Sequence, residues 1–359
     1  MVWTILIILP YSVIIFIAWI KLRRAKTIVS DKNVSGDSLP RVSVIVAAKN
    51  EENCLPDLIS DLKSLDYPKD KLEILIVDDH SSDSTAGLIQ NSRNINYFLS
   101  KGRGKKQAIA TGLEYARGEL ILTTDADCSL KNSWLRSYAE MYILEKPDLI
   151  IGQVKPERGK GLISVLSELE FYSLQAVTGG LALVNKPVMC NGANLGFRKA
   201  AVEDYLKSVK ADIASGDDMF LLHTIKKSGG RITWLNNDDG TVSTRLPHRL
   251  RDLFRQRSRW AGKSIYFTDS DTIAVAISTL IANLSIIAAI VLIIINPSFW
   301  PLAIALFLAK TIPEFILLSG YLKNPAKLKL LLLFLPASII YPFYVLITVI
   351  ISIVVKRKW

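Results

Sequence analysis

Long apolar runs at both ends of the chain constrain its fold more than any other feature. Residues 2–20 and three later runs between residues 272 and 355 are almost uncharged, whereas nearly all acidic residues lie between about residues 30 and 271. About 20 consecutive apolar residues cross a bilayer as a helix, because backbone groups in lipid must bond to one another. The sequence therefore predicts one water-exposed domain between membrane helices at the two ends.

Basic residues directly after the first apolar run predict the orientation of the chain. Lys21, Arg23, Arg24 and Lys26 follow residues 2–20, and such clusters are retained in the cytosol. A cleaved signal peptide is the alternative, but it would carry positive charge before the run and small residues after it. We therefore expect a transmembrane helix over residues 1–22 and a cytosolic domain after it, in a multi-pass protein of the cell membrane.

The C-terminal part, residues 271–355, predicts three further membrane helices, over 272–295, 299–321 and 328–355. Within the second, Lys310 and Glu314 are four residues apart and share one helix face, where they can neutralise each other. A role at an acceptor channel is the alternative. The path of the last helix stays open, because three spans would leave the basic residues 356–358 outside, against their usual preference.

Charge and cysteine content restrict the classes of partner. The net charge is +11, but many basic residues stand beside apolar runs, where they meet anionic lipid headgroups, so membrane lipids and not nucleic acid are the expected partner. Cys54, Cys128 and Cys190 are odd in number and form no CxxC pair, which indicates reduced thiols and no structural metal site.

The middle of the chain alternates β-rich and helical segments. Strands are predicted over 41–48, 72–79, 119–127 and 148–154, and helices over 51–65, 83–92, 104–117 and 132–145. This order predicts a single α/β domain over residues 40–245, built on a mainly parallel sheet with helices around it. Ligands of such sheets collect at the carboxyl ends of the strands.

Two carboxylates follow the strand predicted over 119–127. Asp125 and Asp127 are two positions apart, so at a strand end both side chains point to the same side. Hard oxygen ligands suit Mg²⁺ or Mn²⁺, and such an ion can bridge a diphosphate. An Asp-x-Asp sequence also occurs in solvated loops, so this pair requires a second signal.

That second signal comes from the strand predicted over 72–79, which ends in Asp78 and Asp79. A carboxylate at this position could accept the imide N–H of a uracil ring, and solvated acids in a capped turn are the alternative. The next segment, residues 101–106, combines four cations with two glycines ahead of a helix. That combination suits phosphate contact through charge and backbone N–H groups, although a solvated loop has the same composition.

Seven segments occur in an order that resembles the membrane-bound family 2 glycosyltransferases: VIVAAKNEE at 44–52, VDDHSSDST at 77–85, KGRGKKQAIATG at 101–112, TDAD at 124–127, NGANLGFRK at 191–199, SGDDMFLL at 215–222 and QRSRW at 256–260. This family shares the GT-A fold of nucleotide-diphospho-sugar transferases, and it includes cellulose, chitin and hyaluronan synthases, poly-N-acetylglucosamine synthases and ceramide glucosyltransferase. The match covers about residues 40–262 and the flanking membrane helices.

The resemblance implies roles for four residues near the donor. Asp79 would contact the nucleotide base, and Lys105 would assist near the nucleotide. Asp125 and Asp127 would hold the metal and the diphosphate. The implied cofactor is Mg²⁺ or Mn²⁺.

The family's acidic pair corresponds to Asp217 and Asp218. Asp218 matches the final carboxylate and is the candidate general base, which the chemistry requires because the acceptor hydroxyl must lose its proton as it attacks. Asp217 takes the position of the usual glutamate, and its shorter side chain puts its reach in doubt.

The Gln-x-x-Arg-Trp signature corresponds to Gln256, Arg259 and Trp260. It implies an indole platform under the acceptor sugar and an arginine near the diphosphate. The surrounding residues 246–268 also have the pattern of an amphipathic helix at the membrane surface, and both interpretations can hold together. A further apolar segment, 161–183, contains glutamates and is assigned to the interface and not to a span.

These expectations describe an inverting, metal-dependent glycosyltransferase. It would move a sugar from a nucleotide-diphosphate sugar, with UDP as the favoured nucleotide, to a lipid or glycan acceptor at the cytosolic face. A polyprenyl-phosphate glycosyltransferase is one alternative, and a non-catalytic transporter or scaffold that senses nucleotide is another. The oligomeric state is left open.

Overall fold

The computed structural model describes residues 6–25, 36–157, 159–202, 217–264, 266–322 and 328–354. The chain folds into two compact units. The first, here called the sheet unit, contains residues 26–157 and 189–245. The second, here called the helical unit, contains residues 1–25, 158–188 and 246–358.

The sheet unit alternates strands and helices. Its strands are β1 (Val42–Ala48), β2 (Leu72–Asp78), β3 (Asn96–Leu99), β4 (Leu120–Asp125), β5 (Cys128–Ser129), β6 (Leu149–Gly152), β7 (Val154–Pro156), β8 (Leu195–Arg198), β9 (Ile232–Leu235) and β10 (Val242–Thr244). Its α-helices are α2 (Leu55–Lys63), α3 (Thr85–Gln90), α4 (Lys105–Tyr115), α5 (Trp134–Glu145) and α7 (Asp217–Lys227).

Seven of these strands form the main sheet, in the order β3-β2-β1-β4-β8-β6-β9. Strand β1 pairs in parallel with β2 and β4, and β2 pairs in parallel with β3. Strand β8 runs antiparallel to both β4 and β6. The predicted α/β class with a mainly parallel sheet is therefore confirmed, with one reversed strand inserted near the middle.

The central strands are apolar because both of their faces are covered. The residues of β1 and β4 are almost all buried, as expected for strands of a parallel sheet with helices on its faces. The four strands predicted from the sequence are present, and their bounds are shorter than predicted. The strands β3, β8 and β9, with four residues each, were not predicted. A second, three-stranded sheet has the order β5-β10-β7.

The helical unit contains α1 (Leu9–Arg23), α6 (Leu162–Ala182), α8 (Leu250–Ser264), α9 (Ser270–Ile295), α10 (Trp300–Tyr321) and α11 (Phe334–Val354). Three helices among the described residues are long and apolar enough to cross a membrane: Ser270–Ile295, Pro297–Tyr321 and Lys329–Ile353. They correspond to the three predicted C-terminal spans. Helix α6 is not one of them, and its assignment to the membrane interface stays a prediction.

Part of the predicted membrane architecture falls outside the described residues. This applies to residues 1–5 of the first predicted helix, to most of the lysine-bearing loop between the last two spans, and to the basic end at residues 356–358. The described part of the first helix is α1, which has 15 residues and ends in Arg23. Its crossing of the membrane stays a prediction.

Polar groups meet inside the helical unit around the predicted ion pair. Lys310 is 1% exposed, and its Nζ donates to Glu314 Oε1 at 2.7 Å and to Oε2 at 3.0 Å. The Tyr11 hydroxyl on α1 also donates to Glu314 Oε1, and the Ser12 hydroxyl donates to the Ala309 carbonyl at 2.7 Å. The pair thus neutralises itself, as predicted, and it also bonds α1 to α10.

Candidate active site

The carboxyl ends of three parallel strands bring the acidic residues to one edge of the main sheet. Asp78 ends β2 and aligns with Ala48 of β1, and Asp125 ends β4 and aligns with Ala47 of β1. Asp79 follows Asp78 directly, and Asp127 lies two residues after Asp125. The edge is the one at which ligands of open α/β sheets bind.

Asp79 is 3% exposed, and both of its carboxylate oxygens are bonded. Oδ1 accepts the backbone N–H of Gly104 at 2.7 Å, and Oδ2 lies 3.1 Å from the Lys49 ammonium. The Gly104 N–H, expected to be available for phosphate, is thus directed at Asp79 and fixes the start of α4. The contact of Asp79 with a nucleotide base stays a prediction.

Lys105 is the first residue of α4, and its ammonium lies 2.5 Å from Asp125 Oδ1. The loop that was predicted to bind phosphate therefore places a cation beside the predicted metal carboxylates. Burial raises the pKa of Asp127, and the Asp125 carboxylate raises it further because two like charges are close together. Asp125, Asp127 and Lys105 are accordingly brought together, as the sequence predicted.

Glu51 joins this group, although the sequence analysis assigned it no role. Its pKa is raised to about 7, first by burial and then by the charges of Asp127, Asp125 and Asp83. Its backbone N–H donates to the Thr85 hydroxyl at 2.8 Å, which holds the β1 end against α3. The only sequence signal was its place in the segment that follows β1.

The carboxylates at this edge of the sheet supply some of the oxygen ligands that a divalent ion requires. Asp125 and Asp127 supply hard oxygen atoms at a place where negative charges repel one another, which suits Mg²⁺ or Mn²⁺. Within the described ranges, no group of three or more His, Cys, Asp or Glu side chains is arranged to hold a metal. That Asp125 and Asp127 hold a divalent ion stays a prediction.

Asp218, the predicted base, lies near the start of α7 and is held by backbone groups. Its Oδ1 accepts the N–H of Met219 at 2.8 Å, and its Oδ2 accepts the N–H of Gly192 at 3.2 Å. The side chain of Asp217 lies outside the residues that the structure describes, so its predicted role is not addressed.

The turn at Gly192 links Asp218 to the strand that carries Asp125. The Gly192 carbonyl accepts the Thr123 hydroxyl at 2.8 Å, and Thr123 lies two residues before Asp125 on β4. Two hydrogen bonds thus connect the strand that ends in Asp125 to the predicted base. Asp218 also lines a small pocket; the other lining residues are Ile109, Leu113, Thr123, Gly192, Leu195, Phe197 and Leu221.

The fully buried side chain of Asn194, two residues after Gly192, also holds this turn in place. Its amide donates to the carbonyls of Gln153 at 2.7 Å and Gly240 at 2.9 Å, and its Oδ1 accepts Trp134 Nε1–H at 2.8 Å and the Tyr138 hydroxyl at 2.7 Å. A buried amide is stable only when such partners are present. Asn194 lies in the NGANLGFRK segment but had no predicted role.

The Gln-x-x-Arg-Trp residues lie on α8, in the helical unit. Arg259 is exposed, whereas Gln256 and Trp260 are half-buried. One face of the Trp260 ring carries the guanidinium of Arg257, whose Cζ is 4.2 Å from the ring centroid. Helix α8 buries Leu253, Arg257 and Ser258, and its position at the membrane surface stays a prediction.

Part of the chain is similar to a known family of proteins. Residues 43–206 match the model described as glycosyl transferase family 2. A probable glycosyltransferase of Bacillus subtilis, YdaM, is 26% identical over 240 residues, which are 64% of this chain and 56% of that protein. A poly-β-1,6-N-acetyl-D-glucosamine synthase of Staphylococcus aureus is 26% identical over 245 residues, with the same shares of each chain. The matched part thus spans little more than half the length of these relatives.

Among solved structures, a mannosyltransferase of Pyrobaculum calidifontis, PcManGT, in complex with GDP-Man and Mn²⁺, is similar along its whole length. It covers 99% of this chain and 100% of its own, with a TM-score of 0.57 and 19% sequence identity. At this identity the likeness is one of fold. Together with the family match, it confirms the GT-A fold that the sequence predicted.

Proposed function

We propose that the chain, whose residues 43–206 match the model of glycosyl transferase family 2, transfers a sugar from a nucleoside-diphosphate sugar to a lipid or glycan acceptor. The observation that carries this proposal is the bonded path from Asp125 through Thr123 and Gly192 to Asp218. It connects a carboxylate pair suited to a diphosphate with a carboxylate suited to an acceptor hydroxyl. Transfer requires both.

The proposed reaction is a single displacement that inverts the anomeric carbon. The acceptor oxygen forms a bond to that carbon, the bond from the carbon to the diphosphate oxygen breaks, and the hydroxyl proton passes to the carboxylate of Asp218. The backbone N–H groups of Gly192 and Met219 hold that carboxylate in place and leave further lone pairs to accept the proton. Lys105 supplies positive charge for the departing nucleoside diphosphate.

A divalent ion is part of the proposal, and Asp125 and Asp127 would hold it. When bound, such an ion offsets the charge that develops on the leaving diphosphate. Excess chelator is therefore expected to abolish turnover, and Mg²⁺ or Mn²⁺ should restore it, because carboxylates and diphosphate would otherwise crowd negative charge together. Product formation with and without chelator measures this. Full activity in excess chelator would remove the metal role from both aspartates.

The donor and acceptor are proposed only as classes. The relative named for poly-β-1,6-N-acetyl-D-glucosamine synthesis supports a glycan acceptor and makes UDP-N-acetylglucosamine a first donor for testing. Mass spectrometry of products from a panel of nucleotide sugars and membrane lipids tests the proposal. A sugar-linked lipid or glycan is the expected product, a sugar-phosphate polyprenol would favour the polyprenyl-phosphate alternative, and no product from any donor would overturn sugar transfer.

Gln256, Arg259 and Trp260 are proposed to contact the substrates of the same reaction, with the indole under the acceptor sugar and the arginine near the diphosphate. The support comes from the family resemblance of the signature and from the half-buried position of Gln256 and Trp260 on α8. A sugar ring bound on the indole gains apolar contact, and a planar guanidinium suits the diphosphate oxygens.

Multi-pass insertion with the sheet unit in the cytosol completes the proposal. It is supported by the three apolar helices and by the basic residues that follow the first apolar run. In a background with serine at Cys54, Cys128 and Cys190, Arg93→Cys should react with a membrane-impermeant maleimide only after permeabilisation. Ser298→Cys, in the turn between α9 and α10, should react in intact cells. Labelling of Arg93→Cys in intact cells would place the sheet unit outside.

A further inference from the structure

Arg257 is a buried cation in the helical unit to which neither the proposed reaction nor the family signature gives a role. Its side chain is 5% exposed although it lies on a helix rich in exposed charges. A charge in such a place is tolerated only when it is paired and hydrogen-bonded. The partners of Arg257 therefore show what holds it there.

Glu170 of α6 is the charged partner. Arg257 Nε donates to Glu170 Oε2 at 2.9 Å, and Nη2 lies 2.8 Å from the same oxygen. The Tyr344 hydroxyl of α11 is 3.4 Å from that oxygen as well. Three helices of the helical unit, α6, α8 and α11, therefore converge on one carboxylate, which fixes one edge of the guanidinium.

The remaining parts of the guanidinium contact two residues of the signature. Nη1 donates to Gln256 Oε1 at 2.7 Å, and Cζ of the guanidinium lies over the Trp260 ring, 4.2 Å from its centroid. A guanidinium has five donors in a rigid plane, so it can bond at its edges and stack with its face at once. A lysine ammonium has no plane and could not make all these contacts.

We propose that Arg257 is a positioning residue, which orients the Gln256 amide and the Trp260 indole for the acceptor, with Glu170 as its anchor. The inference rests on the proposed function, in which these two residues serve the acceptor. Because Arg257 covers one face of the indole, the acceptor sugar stacks on the opposite face. The ion pair with Glu170 then decides the direction in which that face points.

The test compares Arg257→Lys with Arg255→Lys, an exposed arginine on the same helix. Arg257→Lys keeps the charge and loses the plane, so the acceptor KM should rise about tenfold per folded enzyme, while UDP affinity should stay within about twofold. Arg255→Lys should behave as the unmodified enzyme. Equal acceptor KM values for the two variants would overturn the positioning role.

Combination with Trp260→Ala separates positioning from general stability. If Arg257 acts through the indole, the double variant Arg257→Lys/Trp260→Ala should have nearly the acceptor KM of Trp260→Ala alone. Once the indole has been removed, Arg257→Lys can no longer displace it. A merely structural role would instead lower the amount of folded enzyme and leave the KM of the remainder unchanged. Independent effects that multiply would therefore contradict the proposal.

Glu170→Gln keeps the inference testable if Arg257→Lys does not fold. It retains an oxygen that accepts from Arg257 and removes the anchoring charge, so a smaller rise in acceptor KM, about threefold, is expected at unchanged UDP affinity. An unchanged KM would overturn the inference. An unmodified enzyme without turnover on any donor would instead overturn the proposed function, and with it the role assigned to Arg257.

Discussion

Asp218→Asn is expected to lower turnover by about 10²- to 10⁴-fold, which is the usual contribution of a positioned general base. Asparagine keeps the size of the side chain but cannot take up the proton of the attacking hydroxyl. UDP affinity should be retained, because the carboxylates and lysine at the carboxyl ends of β2 and β4 are unchanged. Steady-state transfer and calorimetric UDP binding measure the two quantities on the same preparation.

The substitution also has a structural cost that the experiment must separate. Both carboxylate oxygens of Asp218 accept backbone N–H groups, so the amide nitrogen of asparagine would face one of these donors. The loss of such a bond costs about 1 kcal/mol, which lowers thermal stability slightly but does not explain a fall of two decades in turnover. Asp70→Asn, at an exposed position, is the matched control. Unimpaired turnover in Asp218→Asn would exclude the base role and favour a non-catalytic scaffold.

Lys310→Met is expected to destabilise the helical unit by about 3–5 kcal/mol, because removal of one partner of a buried ion pair leaves an uncompensated charge. Glu314 would keep the Tyr11 hydroxyl as a partner but lose the ammonium that contacts both of its oxygens. The double variant Lys310→Met/Glu314→Gln should recover most of this loss, because no charge then stays behind. The informative quantity is the sign of the coupling free energy between the substitutions at Lys310 and Glu314.

Thermal unfolding in detergent, followed by size-exclusion chromatography, measures all variants on one scale. Lys329→Met removes an exposed lysine ahead of α11 and should leave the midpoint unchanged. Tyr11→Phe should cost only about 1 kcal/mol, the value of a single hydrogen bond. A double variant that is less stable than Lys310→Met alone would contradict the assignment of the ion pair as a self-contained structural element.

The acidic edge of the sheet was predictable because each of its strands has a local sequence pattern. Apolar residues of β2 and β4 run directly into Asp78 and Asp125, and parallel strands bring such ends together. The sequence could not predict that Asp79 bonds to the Gly104 N–H, or that burial and remote carboxylates raise the pKa of Glu51. Those properties depend on neighbours far apart in the chain.

The short strands were missed for a related reason. Strands β3, β8 and β9 have four residues each, which is too few for a periodic pattern to stand out. Arg257 lies within the amphipathic pattern of residues 246–268, and the sequence could not indicate its burial because that burial depends on Glu170 of another helix. Periodicity thus predicted which elements form, while tertiary contacts decided which polar side chains turn inward.

The insertion of β8 between β4 and β6 sets the order in which the protein can assemble on the ribosome. The strands β3, β2, β1 and β4 all come from residues 42–125 and can pair as soon as these are synthesised. Strand β4 then keeps an open edge until residues 195–198 emerge, about 70 residues later. At an elongation rate of about 5–20 residues per second this interval lasts seconds, during which the unpaired edge can join another nascent chain. The bond from Thr123 to Gly192 forms only when that edge closes, so the carboxyl ends of β2 and β4 are in place before Asp218 is connected to them.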